Sequence, residues 1–292
     1  MFSDGILEAQ HQEQHLRRRV VVFPLLECVA FLQKPCVFLP IGVHFAANVV
    51  TSCTDNCAVV FAYDGTEFRK EDDMKIVQSQ VIPVTPLNGR AILKRIEEIA
   101  RTCYRSEDKI TADGKSAEQI VKALVNAGHW AMLEHATISM RYLSNIATYK
   151  DLTRQRMASY AVESTRWCSY NKGKFGSEIK FLDPIEIPKD SLKYQVWLNA
   201  MKQAEQNYMA MSSMGAKPDE LSLVLPQSTA AEFVITANLR EWNHIFGLRA
   251  VGHSRPCVRQ IMQPTLEMFH KEIPIVFDSV YNKMIQEKQK VK

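Results

Sequence analysis

Thr153–Trp167, TRQRMASYAVESTRW, packs three arginines (Arg154, Arg156, Arg166) and two serines (Ser159, Ser164) into one short run, with only Glu163 to offset the charge. Two readings compete for it. On a helix, where each residue advances roughly 100°, Arg154 and Arg156 point about 200° apart and serve different partners. In an extended segment, Ser164 and Arg166 at i and i+2 face the same side, so a hydroxyl and a guanidinium can converge on one phosphate. The plainer alternative is a solvated basic surface with Met157 and Tyr160 turned inward. Spacing alone leaves both open.

The rest of the chain narrows what such a site could hold. Of the net charge of +4 over 292 residues, residues 1–73 contribute −4 (6 Lys/Arg against 10 Asp/Glu), which leaves +8 on residues 74–292. A surplus of that size suits a small anionic ligand such as a nucleotide and is weak for a protein that binds duplex nucleic acid. The eleven glycines never form GxGxxG or GxxxxGK[ST], and HExxH and GxSxG are absent, so a nucleotide site has to be built from side chains. Seven cysteines, an odd number, include no CxxC pair; Cys53 and Cys57 come nearest, without histidines at metal-ligand spacing. They read as reduced thiols of a cytoplasmic protein that holds no metal.

The 46% hydrophobic content is ample for a core, yet the apolar run from Val20 to Val50 is broken by Pro24, Glu27, Lys34, Pro35 and Pro40. It makes a poor membrane span and a poor signal peptide. From Met74, MKIVQSQVIPVTPL begins as a natural N-terminus entering a sheet would. The preceding Lys-Glu-Asp-Asp can be encoded by a purine-rich stretch resembling a bacterial ribosome-binding site. The expectation is therefore a leading extension over 1–73 outside the native product or poorly ordered, and a functional domain over 74–292.

Within that domain the periods are mostly helical. Asn88–Tyr104 sets Ile92, Leu93, Ile96, Ile99 and Cys103 on one face. Ser116 and Gln119 form a capping box for a second helix, with Gly128 as its C-terminal cap. After His135, Ile138, Met140 and Tyr142 alternate with Thr137, Ser139 and Arg141 as in a half-buried strand. Ser191–Ser213 is a long helix ended by Gly215, Phe233–Thr236 a short strand, and helices follow near Arg240–Leu248 and Pro256–Gln286, the last bent or broken at Pro264. The class is α+β, helices packed around a small sheet.

Taken together, three segments carry a resemblance. TRQRMASYAVESTRW is similar to the signature RHRxxSxNxxSxR of flavin-dependent thymidylate synthases, with Arg154, Arg156, Ser159, Ser164 and Arg166 in register. GHWAMLEH (Gly128–His135) resembles the family's GHxxxxEH, and LVLPQSTAAEFVITANLREWNHIFGLR (Leu223–Arg249) its LP…NxRxxxHxxxLR region. The similarity runs from about Met74 to the C-terminus and favours the anion-site reading.

The resemblance implies an FAD-dependent methyltransferase, a homotetramer with active sites between subunits, that makes dTMP from dUMP. Methylenetetrahydrofolate is the carbon donor and NADPH the reductant. It implies that Arg154, Gln155 and Arg156 touch flavin and nucleotide. By position, Asp151, Glu163, Ser164, Thr165, Arg166 and Ser222 fall in the dUMP site, with Ser164 and Arg166 on the phosphate. Arg249 falls against the uracil, where a fixed cation stabilises developing negative charge without a cysteine nucleophile. His129 falls near the flavin ring, and Cys103, Glu134, Asn238, Arg240 and His244 at FAD-contacting positions. No nucleic acid and no membrane is expected as partner. The rival class is a non-catalytic module that binds single strands through Arg154, Tyr160, Arg166 and Trp167.

The chain departs from the family pattern at Gln155 (histidine), Ala161 (asparagine), Val162 (glutamate or glutamine) and Trp167 (tyrosine). Asp151 and Ser222 stand where many relatives have a glutamine and an arginine that hold dUMP. Losing one guanidinium contact costs about 1.5 to 3 kcal/mol, and a carboxylate nearby repels the phosphate. Arg141, Lys150 or Lys172 would have to compensate; otherwise the nucleotide binds weakly or is another pyrimidine nucleotide, or is hydroxymethylated.

Overall fold

Alternation after His135 does produce a strand, and it becomes the spine of the fold. A computed structural model describes residues 74–167, 170 and 178–290, with the backbone of three short strands further upstream. Those strands, β1 (Val20–Pro24), β2 (Val49–Thr54) and β3 (Cys57–Ala62), form an antiparallel sheet of order β1-β3-β2 within a unit that spans 1–73. The remainder of the Val20 to Val50 run lies outside the described residues.

The second unit, 74–292, opens with β4 (Lys75–Val77) and β5 (Gln80–Pro83), two short strands in place of the single run expected from Met74. Its main sheet has the order β5-β6-β9-β7, all antiparallel, with β6 (Thr137–Asn145), β7 (Ser159–Val162) and β9 (Ala230–Asn238). Ile138, Met140 and Tyr142 of β6 and Phe233, Ile235 and Ala237 of β9 are buried on one face. Thr137, Arg141 and Glu232 on the other face are exposed, the period of two expected of a sheet covered on one side. β4 pairs in parallel with β8 (Lys180–Leu182) in a separate two-stranded sheet.

Helices cover the buried face: α1 (Gly89–Thr102), α2 (Lys115–Asn126), α3 (Ile146–Leu152), α6 (Leu239–Arg249), α7 (Pro256–Glu272) and α8 (Pro274–Lys290). Their core is aromatic. Trp242, Phe246, Phe269 and Phe277 meet at centroid distances of 5.2 to 5.7 Å, and the buried indole of Trp242 donates to the Ile138 carbonyl at 3.0 Å. A second core forms where α4 (Leu192–Ser213) lays Met201 and Tyr208 beside Phe181 of β8. No helix among the described residues is long and apolar enough to cross a membrane.

Three local expectations change. Ser116 does not cap α2; Gly114 does, at φ 79°. The Ser116 hydroxyl is drawn instead to α1, where it donates to the buried carboxylate of Glu97 at 3.0 Å. Pro264 lies inside α7 without ending it, because Ile261, Met262, Thr265 and Leu266 are buried on both sides of it. The break comes at Ile273 (φ −138°, ψ 61°), since Pro274 drives its predecessor out of the helical region. The buried stripe of α1 runs through Leu93, Ile96, Glu97 and Ala100, and Cys103 is left exposed as its C-cap. Gly128 does close α2, at φ 71°: its N–H and that of His129 reach the carbonyls of Val125 and Leu124.

Candidate functional site

The sheet divides the arginine-rich stretch in two. β7 takes Ser159–Val162 from its middle and pairs Ser159 with Thr236 and Val162 with Phe233. A strand of 4 residues spans roughly 13 Å, so Arg154 and Arg156 stand before one end and Ser164 and Arg166 beyond the other. The three arginines do not converge on one anion within the chain.

The near end is a turn and not a helix. Gln155 N–H closes it on the Leu152 carbonyl at 2.9 Å. The Tyr160 hydroxyl reaches back from β7 to the carbonyls of Leu152 (2.7 Å) and Gln155 (2.8 Å). Burial, with Glu241 adding to it and Arg249 opposing, pushes that phenol up to about 12, so it remains a donor at neutral pH. Tyr160 is half-buried in this role and is not free to stack on a base. The turn buries Gln155 beside Arg249, the last residue of α6; with the amide assigned the orientation these donors require, its oxygen accepts Arg249 Nη2–H at 3.1 Å and Nε–H at 3.2 Å. Arg154 and Arg156 stay exposed, with no hydrogen bond or ion pair among the described residues.

Other motif residues gather where β6 begins and β9 ends. Thr137 pairs with Asn238, and Leu239 N–H donates to the Ala136 carbonyl at 3.0 Å. The register carries Glu134, in the 3-10 turn Trp130–His135, to Arg240 in the first turn of α6, Oε1 to Nη1 at 2.6 Å. Asn238 caps α6 by accepting Glu241 N–H at 2.8 Å. His129 is exposed at the head of the 3-10 turn and His244 is exposed on α6. Cys103 is exposed at the end of α1 and shares no bond with this group.

At the far end Glu163 is tied to the sheet: its N–H donates to the Glu232 carbonyl at 2.8 Å, and its carboxylate accepts Glu232 N–H at 3.0 Å and the Tyr170 hydroxyl at 3.3 Å. The segment that follows is a turn, not extended, because Trp167 N–H closes on the Ser164 carbonyl at 3.1 Å. Thr165 is half-buried in it, and Arg166 swings out to Asp219, Nε to Oδ1 at 2.5 Å. Asp219 lies in the short helix α5 (Pro218–Leu221), and the Ser222 hydroxyl donates to its carbonyl at 2.7 Å. Ala161 and Val162 line a shallow depression of about 460 Å³ with Arg141, Lys180 and Glu232.

The carboxylate of Asp151 is not bare, as its position suggested, but paired with Arg255 at 3.1 Å. Among the cations that could compensate, Arg141 faces Glu232 at 3.7 Å, Lys150 is exposed, and Lys172 lies outside the described residues. Tyr160 had appeared only as a stacking or inward-facing residue. Arg255 and Asp219 belong to no motif and carry no local sequence signal, since each pairs across more than fifty residues of chain.

A one-sided antiparallel sheet backed by helices, with cationic side chains at both ends of an edge strand, defines an α+β protein whose candidate site is built from side chains. Comparison with known proteins makes this specific. Residues 90–275 match the family described as thymidylate synthase complementing protein. The chain is 32% identical over 198 residues to the flavin-dependent thymidylate synthase of Pyrococcus abyssi, covering 65% of this chain and 80% of that protein. Against the flavin-dependent thymidylate synthase of Geobacter sulfurreducens it is 27% identical over 186 residues, 61% of this chain and 77% of that one. In fold it is similar to a crystal structure of the UMP/dUMP methylase PolB from Streptomyces cacaoi bound with 5-Br dUMP, at TM-score 0.57 and 21% identity, over 70% of this chain and 96% of that one. The chain belongs to the flavin-dependent thymidylate synthase family.

Proposed function

We propose that residues 74–292 form a flavin-dependent methyltransferase that converts dUMP to dTMP, with methylenetetrahydrofolate as carbon donor and NADPH as reductant. The observation that carries this reading is the Gln155–Arg249 contact, which brings the arginine-rich stretch and the end of α6 together as one cationic wall. FAD, when bound, supplies the hydride that NADPH delivers. The donor set suits such a dinucleotide: Arg154 and Arg156 are guanidiniums without a partner among the described residues, fit for a diphosphate. Glu134, Asn238, Arg240, His129 and His244 offer acceptors and donors for ribose and ring.

Arg249 is held by Gln155 as a fixed cation and stabilises negative charge that develops on the pyrimidine. Ser164 and Arg166 hold the nucleotide phosphate, and Glu163 and Thr165 shape the turn that presents them. A nucleophilic thiol is not needed. Of the cysteines among the described residues, Cys103 is exposed at the end of α1, while burial pushes the Cys257 thiol up. The lone far-end cluster is best completed by another copy of the chain, as in a homotetramer, and the free thiols suit the cytoplasm.

Protein purified after FAD addition should be yellow, and NADPH should bleach the flavin band; a colourless protein that takes up no FAD refutes the reading. The pairing of Asp151 with Arg255 and of Arg166 with Asp219 favours a second reading, in which the substrate is another pyrimidine nucleotide. Titration of dUMP, UMP, dCMP and deoxyuridine into the FAD-loaded protein distinguishes the two.

A further inference from the structure

We propose that Asp219 is a specificity-determining residue of this site: a built-in carboxylate that occupies Arg166 until the phosphate of a nucleotide displaces it. This inference rests on the assignment of Arg166 to the nucleotide phosphate. Three observations point to it. Arg166 Nε and Asp219 Oδ1 lie 2.5 Å apart, and neither side chain has another hydrogen-bond partner among the described residues. The Asp219 carboxylate therefore stabilises no cap or strand of its own. The short helix that carries it, by contrast, is tied at both ends: Lys217 N–H donates to the Glu220 carboxylate at 2.7 Å, and the Ser222 hydroxyl donates to the Asp219 carbonyl at 2.7 Å.

The third observation is charge. Ser222, which follows α5, supplies a hydroxyl and no charge, and the charge of the Arg166 guanidinium is offset by Asp219. A phosphate can take the Arg166 fork only by displacing Asp219 from Nε, and it must then sit beside the displaced carboxylate. Both partners are well exposed, at 68% and 63% of the side chain, so water and salt screen the pair and it yields to a stronger ligand. A pair of this kind reduces affinity by about two- to fivefold without abolishing it. The site then discriminates in favour of ligands with a full dianionic phosphate, which can outcompete a carboxylate, over uncharged nucleosides or singly charged esters.

The test is calorimetry on the FAD-loaded full chain, titrated with dUMP and with deoxyuridine. In Asp219→Asn, which keeps the shape and removes the charge, the dUMP Kd should fall about two- to fivefold while that of deoxyuridine stays put. In an Arg166→Gln background, which leaves no guanidinium to compete for, the same substitution should shift the dUMP Kd by less than it does in the wild type and leave that of deoxyuridine unchanged. Asp219→Ser repeats the measurement should the asparagine variant be unstable. An unchanged dUMP Kd, or equal shifts for both ligands, overturns the inference while a wild-type preference for dUMP leaves the substrate reading standing. If the wild-type protein binds dUMP no tighter than deoxyuridine, Arg166 is not a phosphate ligand and both fall.

Discussion

Replacing Gln155 by leucine tests whether the turn and α6 act as one wall. The amide is buried, and in the orientation its neighbours require its oxygen accepts two N–H groups of Arg249, at 3.1 and 3.2 Å. A hydrogen bond to a charged group contributes about 1.5 to 3 kcal/mol, and two donors that share one oxygen do not add fully, so Gln155→Leu should lose about 2 kcal/mol. For a unit of this size that is a fall in Tm of about 4 to 8 °C. Thermal unfolding followed by circular dichroism reads it directly. Gln155→Glu restores the acceptor as a carboxylate that can take both N–H groups, and should recover at least half of the loss. Because it also neutralises Arg249, it should weaken dUMP binding further, so stability and affinity move in opposite directions between the two variants. A leucine variant that melts within a degree of wild type, or a glutamate variant as unstable as the leucine one, would refute the contact.

Elsewhere the structure dictates stability effects of different origin. A Cβ on Gly89 would lie 1.8 Å from the Glu272 carbonyl oxygen; Gly89→Ala should therefore cost about 1 to 3 kcal/mol or more in urea unfolding, although alanine is the better helix former. Glu97 is fully buried and bonded by Arg101 Nε at 2.9 Å and Ser116 Oγ at 3.0 Å. Arg101→Met strands that carboxylate and should cost about 3 to 5 kcal/mol, whereas replacing both partners by apolar residues should cost far less. Burial pushes the Asp183 carboxyl up, but hydrogen bonds from Lys189, Gln78 and Tyr194 outweigh it and hold the group below its ordinary 3.8. A depressed folded-state value means this stability is complete above about pH 4 and is lost as pH falls through the folded value. Asp183→Asn should thus be less stable than wild type at pH 6, and the gap should narrow below pH 4 in acid titrations of the melting temperature.

The site was partly legible beforehand because its residue types are chemically constrained. Guanidiniums and hydroxyls at fixed spacing state what kind of ligand is wanted, whatever the backbone does between them. Their conformation was not legible. Arg154, Arg156, Ser164 and Arg166 read as helical or extended by local spacing, yet both groups lie in turns, because strand β7 pairs with β9 some seventy residues later and claims the residues between them. The capping expectation at Ser116 failed in the same way, since the hydroxyl that looked like a local cap is bonded to Glu97 on another helix.

What the sequence determined by itself was the α+β class, the alternation of β6, the cap at Gly128 and the concentration of arginines in Thr153–Trp167. These depend on periods and side-chain chemistry within one element, where neighbours in sequence are neighbours in space. The tertiary structure decided which charges remain free. Among the described residues Arg154 and Arg156 keep theirs open, Arg249 is held by Gln155, Asp151 is matched by Arg255, and Arg166 is matched by Asp219. Each of these pairs joins residues far apart in the chain, and Coulomb attraction between two side chains depends on a distance that only the packed fold sets.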